Sequence, residues 1–135
     1  MTTKKPSVTV ILCSHKLIKY AEQQIISIRN QINVDIKLVI SIDSDNKKLI
    51  KDWFDLVKTY FSDNNLKILR GPQKGFSSNF INALVNIDGN PDYIAFSDHD
   101  DIWDNNKIYK AIECIKNANE NKLPILYGSR TRYVD

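Results

Sequence analysis

Hydrophobic and polar positions alternate along this chain in two different periods, one typical of strands and one typical of helices. Short apolar runs rich in β-branched residues predict strands, at Ser7–Cys13, Ile36–Ile42, Leu66–Leu69, Tyr93–Ser97 and Pro124–Tyr127. Apolar residues at helical spacing predict a helix after each of the first four strands, at Ala21–Ile32, Leu49–Tyr60, Phe76–Ile87 and Ile108–Ile115. This alternation predicts one α/β domain over residues 1–135, with a mainly parallel sheet and helices on both faces.

Polar segments follow the predicted strands and are expected to meet at one edge of the sheet, because the carboxyl ends of parallel strands lie together. In strand order they are Ser14-His15-Lys16, Asp43-Ser44-Asp45, Gly71–Gly75 and the acidic run Asp98–Asp101. Open α/β sheets bind their ligands outside the carboxyl ends of the strands. The sequence therefore predicts a binding site at this edge.

The acidic run is the strongest chemical signal in the chain. Asp98, Asp100 and Asp101 lie within four consecutive residues, directly after an apolar strand. Carboxylates this close repel one another unless a cation lies among them. A Mg²⁺ or Mn²⁺ ion held by one or two carboxylates and a substrate diphosphate meets that requirement. The alternative is a solvated acidic loop that caps the next helix; the buried strand before it and Trp103 after it argue against this.

Three residues outside the acidic run are further candidates for ligand contacts. Asp43 ends the second strand, where a carboxylate of nucleotide-binding α/β folds commonly accepts hydrogen bonds from ribose or base. A turn leading into the next helix is the alternative for Asp43. Lys74 lies in a glycine-rich turn and offers a counter-charge, while Asn79 is expected on the polar side of the following helix. Ordinary solvated surface is an equally open interpretation of Lys74 and Asn79.

Composition and charge exclude several classes of protein. The formal net charge is only +3 and is spread evenly, which does not indicate nucleic-acid binding. No apolar stretch approaches the roughly 18 residues needed to span a bilayer, and the polar start Met1–Pro6 predicts no signal peptide. Cys13 and Cys114 lie far apart on predicted apolar faces, which indicates a reduced chain. His15 and His99 have no partner at metal-ligand spacing, so a zinc site is not predicted.

Four segments of the chain together resemble the nucleotide-sugar-binding half of family 2 glycosyltransferases, and in particular their bacterial rhamnosyltransferase-like branch. These segments are Val8–Lys16, Leu38–Asp45, Gly71–Leu84 and Tyr93–Trp103. The last of them, YIAFSDHDDIW, is the most specific, because it contains an Asp-x-Asp motif followed by Asp-Ile-Trp. The resemblance extends from Ser7 to Asp135 and implies the Rossmann-like, nucleotide-binding half of the glycosyltransferase-A fold.

The resemblance also implies an activity. Such an enzyme is an inverting glycosyltransferase, which moves a sugar from a nucleotide-diphosphate sugar to a glycan or lipid-linked acceptor in bacterial surface polysaccharide synthesis. A divalent metal, Mn²⁺ or Mg²⁺, would accompany the donor. The protein would be cytoplasmic, or peripheral at the inner face of the membrane. The alternative is a nucleotide-sugar-binding module without transfer activity.

The resemblance assigns roles to particular side chains. Asp100 would bind the metal that bridges the donor diphosphate, and Asp98 would face the ribose side of the donor. Asp98 and Asp101 are further candidate metal ligands. Asp43 would accept a hydrogen bond from the base. The remaining candidates for donor binding are Ser14, Lys74 and Asn79.

Two features depart from the family pattern. Ile42 replaces the first acid of the usual pair at the end of the second strand, and Ser44 replaces a glycine. Family members are longer, and their second half carries the acceptor site and the general base. The base is therefore expected beyond Asp135. A phosphotransfer enzyme with Asp98 as nucleophile is disfavoured, because its Asp-x-Asp motif would follow the first strand rather than the fourth.

Overall fold

Strands and helices alternate along the computed structural model, which describes residues 4–17, 19–98, 100–118 and 123–133. The strands are β1 (Ser7–Ser14), β2 (Asp35–Ile42), β3 (Leu66–Arg70) and β4 (Tyr93–Ser97). The helices are α1 (Ala21–Arg29), α2 (Lys47–Tyr60), α3 (Phe76–Val85) and α4 (Lys107–Ala118), and a 3₁₀ turn at Asp63–Asn65 precedes β3. The predicted α/β class is confirmed. Over the described ranges, no helix is long and apolar enough to cross a bilayer.

The four strands form one sheet in the order β3-β2-β1-β4, and every pairing is parallel. β1 lies in the middle and pairs with β2 from Ser7 to Ser14. Because β1 is buried on both faces, its sequence is a near-continuous apolar run without alternation. The chain extends the sheet first on the β2 side of β1 and later on the β4 side. The crevice between the carboxyl ends of β1 and β4 is therefore the topological switch point, where such sheets bind ligands.

Helices cover both faces of the sheet, as predicted, but unequally. On one face, α1, α2 and α4 bury the larger core, which includes the fully buried Trp53. On the other face, α3 packs Ala83 against Ile11 and Val39. On this second face Ile94 and Phe96 of β4 remain 40% and 50% exposed.

Two predictions about elements are wrong. Residues 123–133 have no regular secondary structure, so the fifth strand predicted at Pro124–Tyr127 is not formed. Pro124 has no N–H to donate to a ladder, and the segment instead lies beside β4 and α4, where it lines a cavity of about 550 Å³. The first helix ends at Arg29, and Ile32 lies beyond it with 42% of its surface exposed. The helix stops before the left-handed Asn33, whose φ is 60°.

Candidate functional site

The carboxyl ends of β1, β2 and β4 bring three predicted site residues to one edge. Ser14 ends β1, Asp43 follows β2 and Asp98 follows β4. The Asp43 N–H donates to the Ser14 carbonyl oxygen at 2.7 Å, which continues the contact between β1 and β2 past their last paired residues. Burial, and then the negative charges of Asp43 and Asp98, raise the pKa of the Cys13 thiol to about 12. The carboxylates of Asp43, after β2, and Asp98, after β4, thus both affect the same thiol near the end of β1.

Ser14 shapes the backbone that leaves β1. Its side chain is 3% exposed, its Oγ donates to the Lys16 carbonyl oxygen, and it accepts the Lys16 N–H at 3.2 Å. The same carbonyl oxygen accepts the Trp53 Nε1–H at 3.2 Å, which ties the loop to α2. The Ser14 hydroxyl is therefore engaged in the turn after β1, below the edge where a ligand would lie.

A glycine allows the loop after β3 to close over Asp43. Asp43 Oδ1 accepts the Gln73 N–H at 2.5 Å, and the Gly71 N–H donates to the Ile42 carbonyl oxygen at 2.8 Å. A Cβ atom on Gly71 would lie 2.5 Å from Asp43 Oδ1 and 2.6 Å from Asn79 Oδ1. Only glycine fits there. The backbone of this turn thus closely approaches the protein's own Asp43.

Lys74 and Asn79, the two candidates from the segment after β3, occupy different environments. Lys74 is exposed in the loop. Asn79 is 3% exposed, so the prediction that it lies on the polar side of its helix is wrong. Its Nδ2–H donates to the Ser41 carbonyl oxygen at 3.2 Å and its Oδ1 accepts the Ser41 Oγ–H at 2.6 Å. Asn79 therefore joins α3 to the end of β2, beneath Asp43.

The acidic run forms a tight turn at the end of β4. The Asp101 N–H donates to the Asp98 carbonyl oxygen at 3.4 Å, and His99 lies outside the described residues. Asp98 and Asp100 are exposed and Asp101 is half-buried. Over the described ranges, no three His, Cys, Asp or Glu side chains lie close enough to hold a metal ion by themselves. The exposed carboxylates of Asp98 and Asp100 fit Mg²⁺ or Mn²⁺, which commonly take one or two protein carboxylates and complete their shell with water and phosphate oxygens.

Polar side chains on the buried face of α1 hold this turn, and they were not predicted as site residues from the sequence. Gln24 is fully buried, and its Nε2–H donates to Ser97 Oγ at 3.1 Å and to the Asp98 carbonyl oxygen. One helical turn later, Ser27 Oγ accepts the Trp103 N–H at 3.0 Å. These contacts support the acidic run from the face of the sheet on which α1 packs.

Gln31 supports the far end of the same loop. Its Nε2–H donates to the Asp104 carbonyl oxygen at 2.7 Å, and its Oε1 accepts the Ile108 N–H at the start of α4 at 3.0 Å. The available signal in the sequence was the helical spacing of Gln24, Ser27 and Gln31. Gln24 and Ser27 lie on the side of α1 that also carries the fully buried Ile28, and Gln31 follows the end of the helix. Polar groups in such positions are normally hydrogen-bonded to a specific partner.

Comparisons with known proteins agree with this architecture. The family model described as glycosyl transferase family 2 matches residues 9–132. The dTDP-rhamnosyl transferase RfbG of Shigella flexneri is 39% identical over 105 residues, which cover 76% of this chain and 36% of that protein. The chain therefore spans little more than a third of the length of this relative.

Proposed function

Because this chain belongs to glycosyl transferase family 2, we propose that it is the donor-binding part of an inverting glycosyltransferase. The donor is a nucleotide-diphosphate sugar, and the acceptor is a glycan or a lipid-linked saccharide in bacterial surface polysaccharide synthesis. The observation that carries the proposal is the position of Asp43 and Asp98 on either side of the end of β1, with Asp98 at the switch point of the sheet.

The chain's own residues divide the work of holding the donor. Asp43 has one oxygen held by the Gln73 N–H, and its other oxygen accepts a hydrogen bond from the base. Asp98 lies toward the ribose, Asp100 binds the metal with Asp101 beside it, and the exposed Lys74 adds positive charge near the loop. Mn²⁺ or Mg²⁺, when bound, supplies positive charge that stabilises the departing diphosphate.

Positioning residues form a layer beneath these contacts. Ser14 sets the turn after β1, and Asn79 holds the end of β2. Neither side chain needs to touch the donor for this role, since each is 3% exposed and hydrogen-bonded to backbone. The donor site would then be rigid before the nucleotide arrives, which reduces the ordering cost of binding.

The acceptor site and the general base are proposed to lie outside these 135 residues. Single displacement requires a group that takes the proton of the acceptor hydroxyl. Four described carboxylates away from the proposed donor edge, Asp52, Asp55, Asp63 and Asp88, form ion pairs with lysines. We also propose that the enzyme works in the cytoplasm or at the inner face of the membrane.

The Shigella flexneri relative is a dTDP-rhamnosyl transferase by name, which makes dTDP-rhamnose the first donor to test. Binding of dTDP, UDP and GDP to the 135-residue chain should be measured by thermal shift and calorimetry, with and without Mn²⁺. At about a hundred-fold excess over Kd, a ligand adds roughly 2.7 kcal/mol to the free energy of unfolding. Mn²⁺ and the preferred nucleotide together should therefore stabilise the chain more than either alone.

Asp100→Asn should remove the part of this stabilisation that depends on Mn²⁺, because an amide is a much weaker ligand for a hard cation than a carboxylate. Asp104→Asn is the matched control, since it removes another exposed acid of the same loop that pairs with Arg132 at 3.5 Å. An undiminished Mn²⁺ effect in Asp100→Asn would move the metal elsewhere. The absence of any nucleotide response in the unmodified chain would refute donor binding, and metal-independent binding would favour the module without transfer activity.

A further inference from the structure

Gln24 is a buried polar side chain whose role is not explained by packing. It is 0% exposed in α1, and its Nε2–H donates to Ser97 Oγ and to the Asp98 carbonyl oxygen. A carbonyl oxygen only accepts hydrogen bonds, so the orientation of the amide is determined by its surroundings. Its Oε1 is buried, and none of the described residues donates to it. An unpaired buried acceptor opposes folding, so stability alone is a poor reason for a glutamine at this position.

The contact of Gln24 is with the first peptide of the acidic run. The Asp98 carbonyl oxygen also receives the Ser97 Oγ–H at 3.3 Å and the Asp101 N–H at 3.4 Å. Three donors, on Gln24, Ser97 and Asp101, thus meet on one oxygen. Since this peptide determines both where the Asp98 side chain leaves the backbone and how the chain turns toward Asp101, its orientation sets the geometry of the carboxylates.

Gln24 differs in this respect from Ser27 of α1 and from Gln31, which lies just beyond the helix. Ser27 and Gln31 bind Trp103, Asp104 and Ile108, which follow the acidic run and lead into α4. The run is therefore held to α1 at both ends, but of these three side chains only Gln24 acts on the peptide that carries a candidate ligand-binding carboxylate.

We propose that Gln24 is a positioning residue for the acidic run, and that its amide holds the Asp98 peptide so that Asp98 and Asp100 face a divalent cation and a nucleoside diphosphate together. The inference rests on the proposed function. Gln24 itself touches neither ligand, because it is completely buried beneath the run. Its effect is therefore on the coupling between metal and nucleotide and not on the contacts of the base.

The test compares Gln24→Met with Gln31→Met in the full chain. Both replacements keep the length of the side chain and remove its amide, at opposite ends of the same loop. Calorimetry gives the Kd of dTDP in EDTA and in saturating Mn²⁺, and the ratio of the two is the coupling factor, which is typically about 5–150-fold for linked sites. Gln24→Met should reduce the coupling factor to near one, with a smaller weakening of the Kd in EDTA through the contact of Asp98 with the ribose. Gln31→Met should lower the melting temperature and retain the coupling.

A wild-type coupling factor in Gln24→Met would overturn the proposal, because a merely structural glutamine would change stability alone. Amide hydrogen exchange in the ligand-free chain tests the positioning role separately from the proposed function. Gln24→Met should speed exchange at the Asp101 N–H, and Gln31→Met should speed it at the Ile108 N–H. Should the chain bind no nucleotide, the proposed function fails, and the exchange pattern still decides whether Gln24 orders the run. Unchanged exchange at Asp101 would refute that role.

Ser97→Ala provides a second variant in case Gln24→Met does not fold. It removes one of the two oxygens that the Gln24 amide reaches, together with one donor to the Asp98 carbonyl oxygen. A smaller loss of coupling in the same direction supports the proposal, and full coupling in this variant contradicts it.

Discussion

At the scale of single residues, the geometry around Asp43 depends on the absence of a side chain at Gly71. The backbone of Gly71 passes so close to Asp43 and Asn79 that a Cβ atom would lie 2.8 Å from the Asp43 Cα as well as close to both side chains. A backbone atom cannot move aside as a flexible side chain can. The loop that donates the Gln73 N–H to Asp43 therefore takes this path only with glycine at position 71.

Gly71→Ala should lower the free energy of unfolding by roughly 1–3 kcal/mol, the usual cost of forcing extra atoms into a packed site. By displacing Asp43 it should also weaken metal-independent nucleotide binding. Urea unfolding and calorimetry would measure the two effects. Gly128→Ala is the control, because a Cβ atom there meets nothing within 4 Å, and a surface change of this kind typically alters stability by less than about 0.5 kcal/mol. A Gly71→Ala chain that unfolds like the wild type would show that the loop has another path.

At the scale of elements, the short edge strand β4 is joined to β1 by side chains as well as by the ladder. At its start, Asp92 Oδ2 accepts the Ser7 N–H at 2.9 Å and the Ser7 Oγ–H at 3.2 Å, and the Asp92 N–H donates to Ser7 Oγ at 2.9 Å. At its end, Ser97 binds Gln24. These contacts matter for the site because β4 carries the acidic run.

The contact at the start of β4 predicts a dependence on pH. The Ser7 N–H first, and then the Ser7 hydroxyl, lower the pKa of Asp92 below its ordinary value of 3.8. The folded chain therefore binds this proton less tightly than the unfolded chain. The contribution of Asp92 to stability is present above pH 3.8 and is lost as the pH falls through the lower folded value.

Asp92→Asn should reduce the stability measured near pH 7 and flatten the dependence of the unfolding free energy on pH below about 4. Ser7→Ala is the matched comparison, since it removes the hydroxyl and keeps the backbone N–H, which is the larger cause of the shift. The Ser7→Ala chain should retain most of the pH dependence of the unfolding free energy. Denaturation by urea at a series of pH values would measure both variants, and an Asp92→Asn chain with the wild-type pH profile would contradict this account.

At the scale of the whole molecule, the chain contains the sheet edge at which donor binding is proposed and a surface that carries exposed apolar side chains. Phe76 and Val85 of α3 are 67% and 72% exposed, and Phe96 of β4 is 50% exposed. In the proposed function this edge holds the leaving nucleotide, and the chain spans 36% of the relative from Shigella flexneri. Sugar transfer also needs an oriented acceptor and a base within hydrogen-bonding reach of its hydroxyl.

The isolated chain should bind donor and transfer no sugar at an enzymatic rate. A missing general base alone forfeits about 10²–10⁴-fold in rate, and the loss of an oriented acceptor forfeits more. Incubation with dTDP-rhamnose, Mn²⁺ and a panel of saccharide acceptors, followed by mass spectrometry of the products, would measure this. Efficient glycosylation of an acceptor would mean that a base lies within these residues.

The sequence by itself determined the order of the elements and the edge at which Ser14, Asp43 and Asp98 meet. Periodicity is a local property, and parallel strands joined by helices place their carboxyl ends together whatever the details of packing. Four strands and four helices were predicted to within a few residues for this reason.

Only the tertiary structure decided which polar residues face inward and what they hold. Asn79 bonds to Ser41 and Gln24 bonds to Ser97, with partners 38 and 73 positions away along the chain. No local pattern specifies such pairs, because they depend on how α1 and α3 lie against the sheet. The same holds for Pro124–Tyr127, whose apolar sequence is compatible with a strand but whose path beside β4 and α4 is set by packing.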